Sequence, residues 1–313
     1  MKKFILKVLL FGICLVLLYG IGFVMPATPR ASKSLLYAKV HKDELLRNTD
    51  GPRIIFVGGS NLSFGINSNL IKDSLKLNPI NTAIHASIGL QHMMDNTLQY
   101  VRKNDIIILA PEYSQFYGRY VYGGEELLRS VADVEFLDMF KLSVEQFKNI
   151  SEYIIKYSYS KLKSSEYSGF KESDVYSVNS FNQYGDVDAH WNMEQRSFAP
   201  YGAINKDYNP NTIELINDFR VELNKKEANL LVTYPGYQAS SFDRSINQIK
   251  RVEKELLNNN FEILGTPKRY RIPDSLMFNT PYHLLKKGVD YRTKLLIEDI
   301  KQSQAYTDLH KNE

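Results

Sequence analysis

Cysteine is almost absent from this sequence of 313 residues; Cys14 is the only one. A chain with a single thiol closes no disulfide within itself, which excludes a cystine-stapled scaffold. An excess of either charge is missing too. The formal net charge is +4, and Lys2, Lys3 and Lys7 account for most of it within the first 25 residues, where no acid occurs. The remaining residues hold 36 bases against 35 acids. A body that close to neutral lacks the basic footprint of a nucleic-acid binder. Gly58, Gly59 and Gly65 do not fit GxGxxG and no Walker lysine follows them, so dinucleotide and P-loop sites are excluded. With 43% hydrophobic residues the chain is not a disordered or collagen-like one either.

What is present begins with Val8–Met25, an uncharged apolar run behind the three lysines. As a helix rising ~1.5 Å per residue it spans about 27 Å, near the thickness of a bilayer core. The lysine bias predicts a cytoplasmic N-terminus and a body outside. A cleaved signal peptide is the alternative. The run is longer than the usual signal core, and Pro26 and Pro29 crowd the region where cleavage would fall. Ile13 stands before Cys14, where a lipoprotein signal needs a small residue. The expected organisation is therefore an uncleaved anchor over residues 1–25, a linker and helix over 26–50, and one α/β domain over 51–313.

The body alternates strands with helices. Arg53–Val57, Ile80–Ile84, Asp105–Leu109, Asn229–Tyr234 and Phe261–Leu264 read as short strands rich in β-branched residues. Between and around them, helical spacing is found over Ser34–Asn48, Asn67–Leu75, Ile88–Arg102, Asp243–Asn258 and Leu284–Gln302. Continuous apolar strands separated by helices predict a doubly wound parallel sheet of about five strands, buried on both faces. Sites in such folds form at the carboxyl ends of the strands. Residues 164–209 break the rhythm: nine aromatics in 46 residues and no long periodic run. The segment reads as an insertion over the sheet edge or the mouth of the site.

Gly58-Gly59-Ser60 closes the first strand, and alone it is only a turn signal. Its position puts Ser60 on the carboxyl rim, with small residues that let a carbonyl approach backbone N–H groups. A serine nucleophile needs a base, and His283 lies in a turn just before the last helix, on the same rim. Tyr237, in the turn after the fourth strand, is placed to give a sugar ring an aromatic wall. Asp186, Asp188 and His190 alternate like ligands of a cation, but no fourth ligand stands at metal spacing, so the segment reads as a polar loop.

FVGGSNLSFG at the first strand and PYHLLKKG before the terminal helix, with LAPEYSQF after the third strand, resemble the SGNH (GDSL-like) hydrolase superfamily. With the N-terminal anchor, the chain is similar to the membrane-anchored branch associated with bacterial surface-polysaccharide O-acylation. The resemblance covers residues 50–303 apart from the insertion. It implies a flavodoxin-like sheet, Ser60 as nucleophile and His283 as base, in an esterase or O-acyl (acetyl) transferase acting on a cell-surface glycan without metal or cofactor. It also implies a body held on the periplasmic side of the cytoplasmic membrane, with a multi-spanning acyl-donor protein as partner. The sequence departs from the family at three places. Asn279 stands where an Asp orients the histidine, with Asp274 as the alternative third member. Glu112 stands where an Asn donates to the oxyanion, and Gly89, near His85, is the nearest match to the second-block glycine. The oxyanion would then rest on backbone N–H groups around Gly59, Ser60, Asn61 and Gly89. These departures keep a second expectation open: a catalytically silent member that binds glycan or scaffolds a membrane complex.

Overall fold

The computed structural model describes residues 1–311. Seven strands occur among them: β1 Arg53–Gly58, β2 Asn78–Asn81, β3 Ile106–Ala110, β4 Asn229–Thr233, β5 Tyr237–Gln238, β6 Ile263–Leu264 and β7 Arg271–Ile272. Five of them form one all-parallel sheet in the order β2-β1-β3-β4-β6. Phe56 aligns with Ile108, and Ile108 with Leu231, so the apolar centres of the three middle strands stack in register. Helices cover both faces, which is why Ile54–Val57 and Ile106–Leu109 are wholly buried and why their sequences do not alternate.

The edges are shorter than periodicity predicts. β2 stops at Asn81 rather than running to Ile84, because the buried Lys42 ammonium gathers the carbonyls of Asn81 (2.8 Å), Ala83 (2.6 Å) and Gly185 (2.7 Å) and bends the chain away. The helix expected from Ile88 to Arg102 runs only over Leu90–Leu98, behind a 3₁₀ turn at Ala86–Ile88. The expected helix Asp243–Asn258 is two pieces, Ala239–Arg244 and Ile246–Asn258, meeting at Ser245. The last long helix spans Lys286–Lys301. β5 and β7 make a separate two-stranded parallel ribbon that sequence patterning did not reveal.

Lys2–Val24 is one continuous helix in which only Gly22 is buried. It is long and apolar enough to cross a membrane. The 164–209 segment has only single 3₁₀ turns of its own and is fixed by outside contacts. Asn81 N–H donates to Tyr184 carbonyl oxygen (2.8 Å) at the sheet edge, and Val187 N–H donates to Ser63 carbonyl oxygen (2.8 Å) beside the rim. Asp186 is fully buried and accepts from Ser68 N–H (2.7 Å), Ser68 hydroxyl (2.8 Å) and Asn81 amide (2.8 Å). The insertion thus covers the β2 edge and reaches the site as well.

Candidate functional site

β1 ends at Gly58, and the chain turns at Gly59 into the one-turn helix Ser60–Ser63. Gly59 is required by crowding. A Cβ there would lie 2.7 Å from Ala86 Cβ and 2.8 Å from Glu112 Oε1. The turn is braced from behind by Arg292, which is fully buried and donates to Asn61 carbonyl oxygen and to Asn61 Oδ1 (3.1 Å). Asn61 Nδ2 in turn donates to Ala110 carbonyl oxygen (3.1 Å), tying the turn to the end of β3. The Asn61 side chain is therefore consumed by structure and does not face the cavity.

Ser60 and His283 open on one cavity of about 500 Å³, walled by Phe64, His85, Ala86, Glu112, Tyr176 and Tyr282 among others. No direct hydrogen bond joins the Ser60 hydroxyl to the imidazole, but the two segments are bound together. Phe64, at the end of the Ser60 turn, stacks on the His283 ring (centroids 3.9 Å, 10° between planes). Leu284 N–H donates to Phe64 carbonyl oxygen (3.2 Å). His283 Nδ1 lies 2.9 Å from Asn279 Oδ1. An amide oxygen only accepts, so Nδ1 carries the proton and Nε2 keeps its lone pair. Tyr176, from the insertion, accepts from Asn279 Nδ2 (2.6 Å) and sits 3.3 Å from His283 Nδ1, which fixes the amide's orientation. Burial pushes the His283 pKa down to about 3, with His190 and His85 adding to the effect, so the imidazole is neutral at ordinary pH.

Asp274 stands elsewhere. Its carboxylate accepts from Ser240 N–H (3.0 Å) and from the Ser240 hydroxyl, and it takes no part in orienting His283. Gly89 is also away from the expected place: its N–H donates to Ala86 carbonyl oxygen (3.0 Å), and its positive φ of 86° lets it pack against Gly123. Ala86 takes the position beside Gly59. The N–H groups of Ser60 and Ala86 have no hydrogen-bond partner among the described residues. His85 lines the cavity with its Nδ1 accepting from Ser87 N–H (3.1 Å), and burial lowers its pKa.

Glu112 fills the flank where a donor was expected. Its Oε1 accepts weakly from Asn61 N–H (3.4 Å), and burial raises its pKa to about 7 against the pull of Asn61, Arg292 and the Ser60 hydroxyl. A second hollow of about 780 Å³ adjoins the first and shares Glu112, Tyr120, Tyr201 and Tyr282 with it. Tyr237 lines this outer hollow rather than the Ser60 cavity and stacks on Tyr282 (4.5 Å, 21°). Together they form an aromatic-walled groove with the Ser–His pair at its inner end.

Sequence reasoning missed Tyr176, Phe64 and Arg292. Tyr176 comes from a stretch without periodicity and gave no signal. Arg292 did give one: a charged residue on the same helix stripe as Val289, Leu296 and Ile300, all buried. His190 is structural, with Nε2 2.8 Å from Leu284 carbonyl oxygen and its ring between Phe64 and Phe278. Among the described residues, no group of three or more His, Cys, Asp or Glu side chains could hold a metal. No protein-family model matches the chain, and no curated protein matches it.

Proposed function

We propose that the chain is an SGNH-like serine esterase or O-acyltransferase, acting at a membrane surface on an acylated glycan. The observation that carries this reading is the 2.9 Å contact from His283 Nδ1 to Asn279 Oδ1, on a neutral imidazole that shares its cavity with Ser60. The sheet order, with β2 on one side of β1 and β3, β4 and β6 on the other, supports a flavodoxin-like doubly wound reading. Its switch point lies between β1 and β3, where Ser60 and Glu112 emerge.

In the proposed reaction Ser60 Oγ attacks the acyl carbonyl while its proton passes to His283 Nε2. The leaving alkoxide takes that proton, and an acyl-Ser60 ester remains. Water or a glycan hydroxyl then attacks the ester and gives its own proton to Nε2; the bond to Ser60 Oγ breaks, Oγ takes that proton back, and free acid or the transferred ester is released. Asn279 holds the tautomer that this relay needs, though an amide stabilises imidazolium less than a carboxylate. The unpartnered Ser60 and Ala86 N–H groups suit a developing oxyanion. Glu112, when protonated, adds an O–H donor beside them. The adjoining hollow, with Tyr201, Tyr237 and Tyr282, suits the flat faces of sugar rings.

One observation favours a silent glycan-binding or scaffold member. An ionised Glu112 beside the same N–H groups would repel an oxyanion, and a lost donor costs about two to three orders of magnitude in rate. Labelling by a serine-directed fluorophosphonate separates the readings. The enzyme reading expects modification at Ser60 that His283→Ala abolishes and Asn279→Ala slows. A wild-type chain whose Ser60 resists the reagent across the pH range leaves the silent reading in its place.

A further inference from the structure

Outside residues 1–24, fourteen large apolar side chains stand exposed among the described residues, and eight of them fall within residues 136–162. Leu137 is 71% exposed, Phe140 78%, Val144 70% and Ile155 63%. Phe136 and Phe140 pack edge to face on one another (6.0 Å) while both remain exposed. Soluble surfaces rarely concentrate apolar side chains this way without a covering partner.

The position of this patch identifies what covers it. The helix Ile154–Lys161 lies directly against the end of the N-terminal helix. A Cβ on Gly22 would fall 2.5 Å from Ser158 carbonyl oxygen, Phe23 meets Tyr157 edge to face (5.9 Å), and Lys161 Nζ donates to Met25 carbonyl oxygen (2.5 Å). Gly22 belongs to the apolar run that ends at Met25. Ile155 and Tyr159 stand within three residues of Ser158, hence within ~5 Å of the Gly22 level along their helix. Asp133 ties in the second segment: it accepts from Tyr157 hydroxyl (2.7 Å) and pairs with Lys161 (2.8 Å), three residues before Phe136. Val144 and Phe147 sit on the helix Val144–Ser151 that immediately precedes Ile154. The patch is thus continuous with the one helix among the described residues that is long and apolar enough to cross a bilayer. Residues 136–162 carry four lysines and three acids, and Lys161 is paired with Asp133, so the charges are close to balanced. Lys161 lies over the Tyr157 ring (4.7 Å) and Lys163 over Tyr159 (5.1 Å), and aromatic rings beside long basic side chains suit a membrane interface.

We propose that residues 136–162 form a second membrane contact, with Phe136, Leu137, Phe140, Val144, Phe147 and Ile155 set into the lipid surface beside the N-terminal helix. The body is then held face-down on the bilayer instead of swinging on its anchor. The proposal needs the N-terminal helix to enter the membrane but does not depend on Ser60 chemistry.

The test uses the full chain in vesicles of phosphatidylethanolamine and phosphatidylglycerol, with an environment-sensitive fluorophore on one cysteine. The native Cys14 reports the span itself. In the Cys14→Ser background, Phe140→Cys and Ile155→Cys report the patch, and Leu257→Cys, on an exposed apolar side chain remote in sequence, is the control. All three are exposed, so their replacement leaves the core intact. A nitroxide near the carbonyl end of the lipid acyl chain should quench positions 140 and 155 several-fold more than 257, and iodide in the water should do the reverse. Positions 140 and 155 behaving like 257 while Cys14 is quenched overturns the proposal, including the case where a protein partner covers the patch. An unquenched Cys14 overturns both the span and the proposal.

Discussion

His283 and Glu112 share one cavity, and burial drives their proton affinities in opposite senses. Desolvation disfavours whichever form is charged, so the imidazole pKa falls to about 3 and the carboxyl pKa rises to about 7. Between those values the base is free and the acid is neutral, the pair of states that the proposed reaction needs. Turnover or fluorophosphonate labelling should therefore hold from acid pH to about 7 and decline as Glu112 ionises. In Glu112→Gln the amide donates at any pH, and the alkaline decline should vanish; its persistence in the variant would assign the decline to another group. Stability gives an independent reading. Glu112 holds a proton in the folded chain that the unfolded chain releases above its ordinary carboxyl range, so its contribution is lost as pH rises through about 7. Thermal denaturation should show Glu112→Gln gaining on the wild type at pH 8 relative to pH 5. A pH-independent difference would contradict the buried-acid assignment.

The last helix does more than close the sheet. Arg292 carries its cation into the core and spends its hydrogen bonds on Asn61, so Lys286–Lys301 and the Ser60 turn are one mechanical unit. Removing the guanidinium leaves the Asn61 carbonyl oxygen without its buried donor, at a cost of about 1–3 kcal/mol. Arg292→Leu should lower the melting temperature and slow Ser60 labelling together, whereas Arg292→Lys, with one compact charge and no planar fork, should restore only part of either. Unchanged labelling in a destabilised Arg292→Leu would separate the brace from the nucleophile. The sequence made part of this unit readable. β1, β3 and β4 were legible because strands buried on both faces are apolar without interruption. The reading of β2 begins two residues late and runs past Asn81, where Lys42 gathers the carbonyls, and that of β6 begins two residues early, since patterning does not report where an edge ladder starts or stops. The two-residue β5 and β7 have no period to detect. At the site, the places of Ser60 and His283 relative to strands and the last helix put them on one rim, and the fold opens both on one cavity; Asn279 entered only through the resemblance and lies against His283, while Asp274 and Gly89 fall elsewhere because loop direction is not encoded in spacing.

At the scale of the whole molecule, Lys42 joins three otherwise separate parts: the helix Ala38–Asn48 that carries it, the sheet edge at Asn81 and Ala83, and the insertion at Gly185. The buried Asp186 carboxyl feels its charge. Lys42→Met strands the three buried carbonyls, each at a cost of about 1–3 kcal/mol. The expected result is local loosening. Limited proteolysis should cut within residues 164–209 faster than in the wild type, and Ser60 labelling should fall as Tyr176 withdraws from Asn279. Cleavage spread evenly along the variant would mean global unfolding instead.

The brace behind Ser60 also has a meaning in time. Arg292 follows Asn61 by 231 positions. At roughly 5–20 residues per second, a ribosome makes the second about 10–50 s after the first. The N-terminal helix is finished at the start of that interval and the guanidinium arrives at its end. The turn that carries Ser60 therefore stays without its brace until the 231 positions from Asn61 to Arg292 have been made.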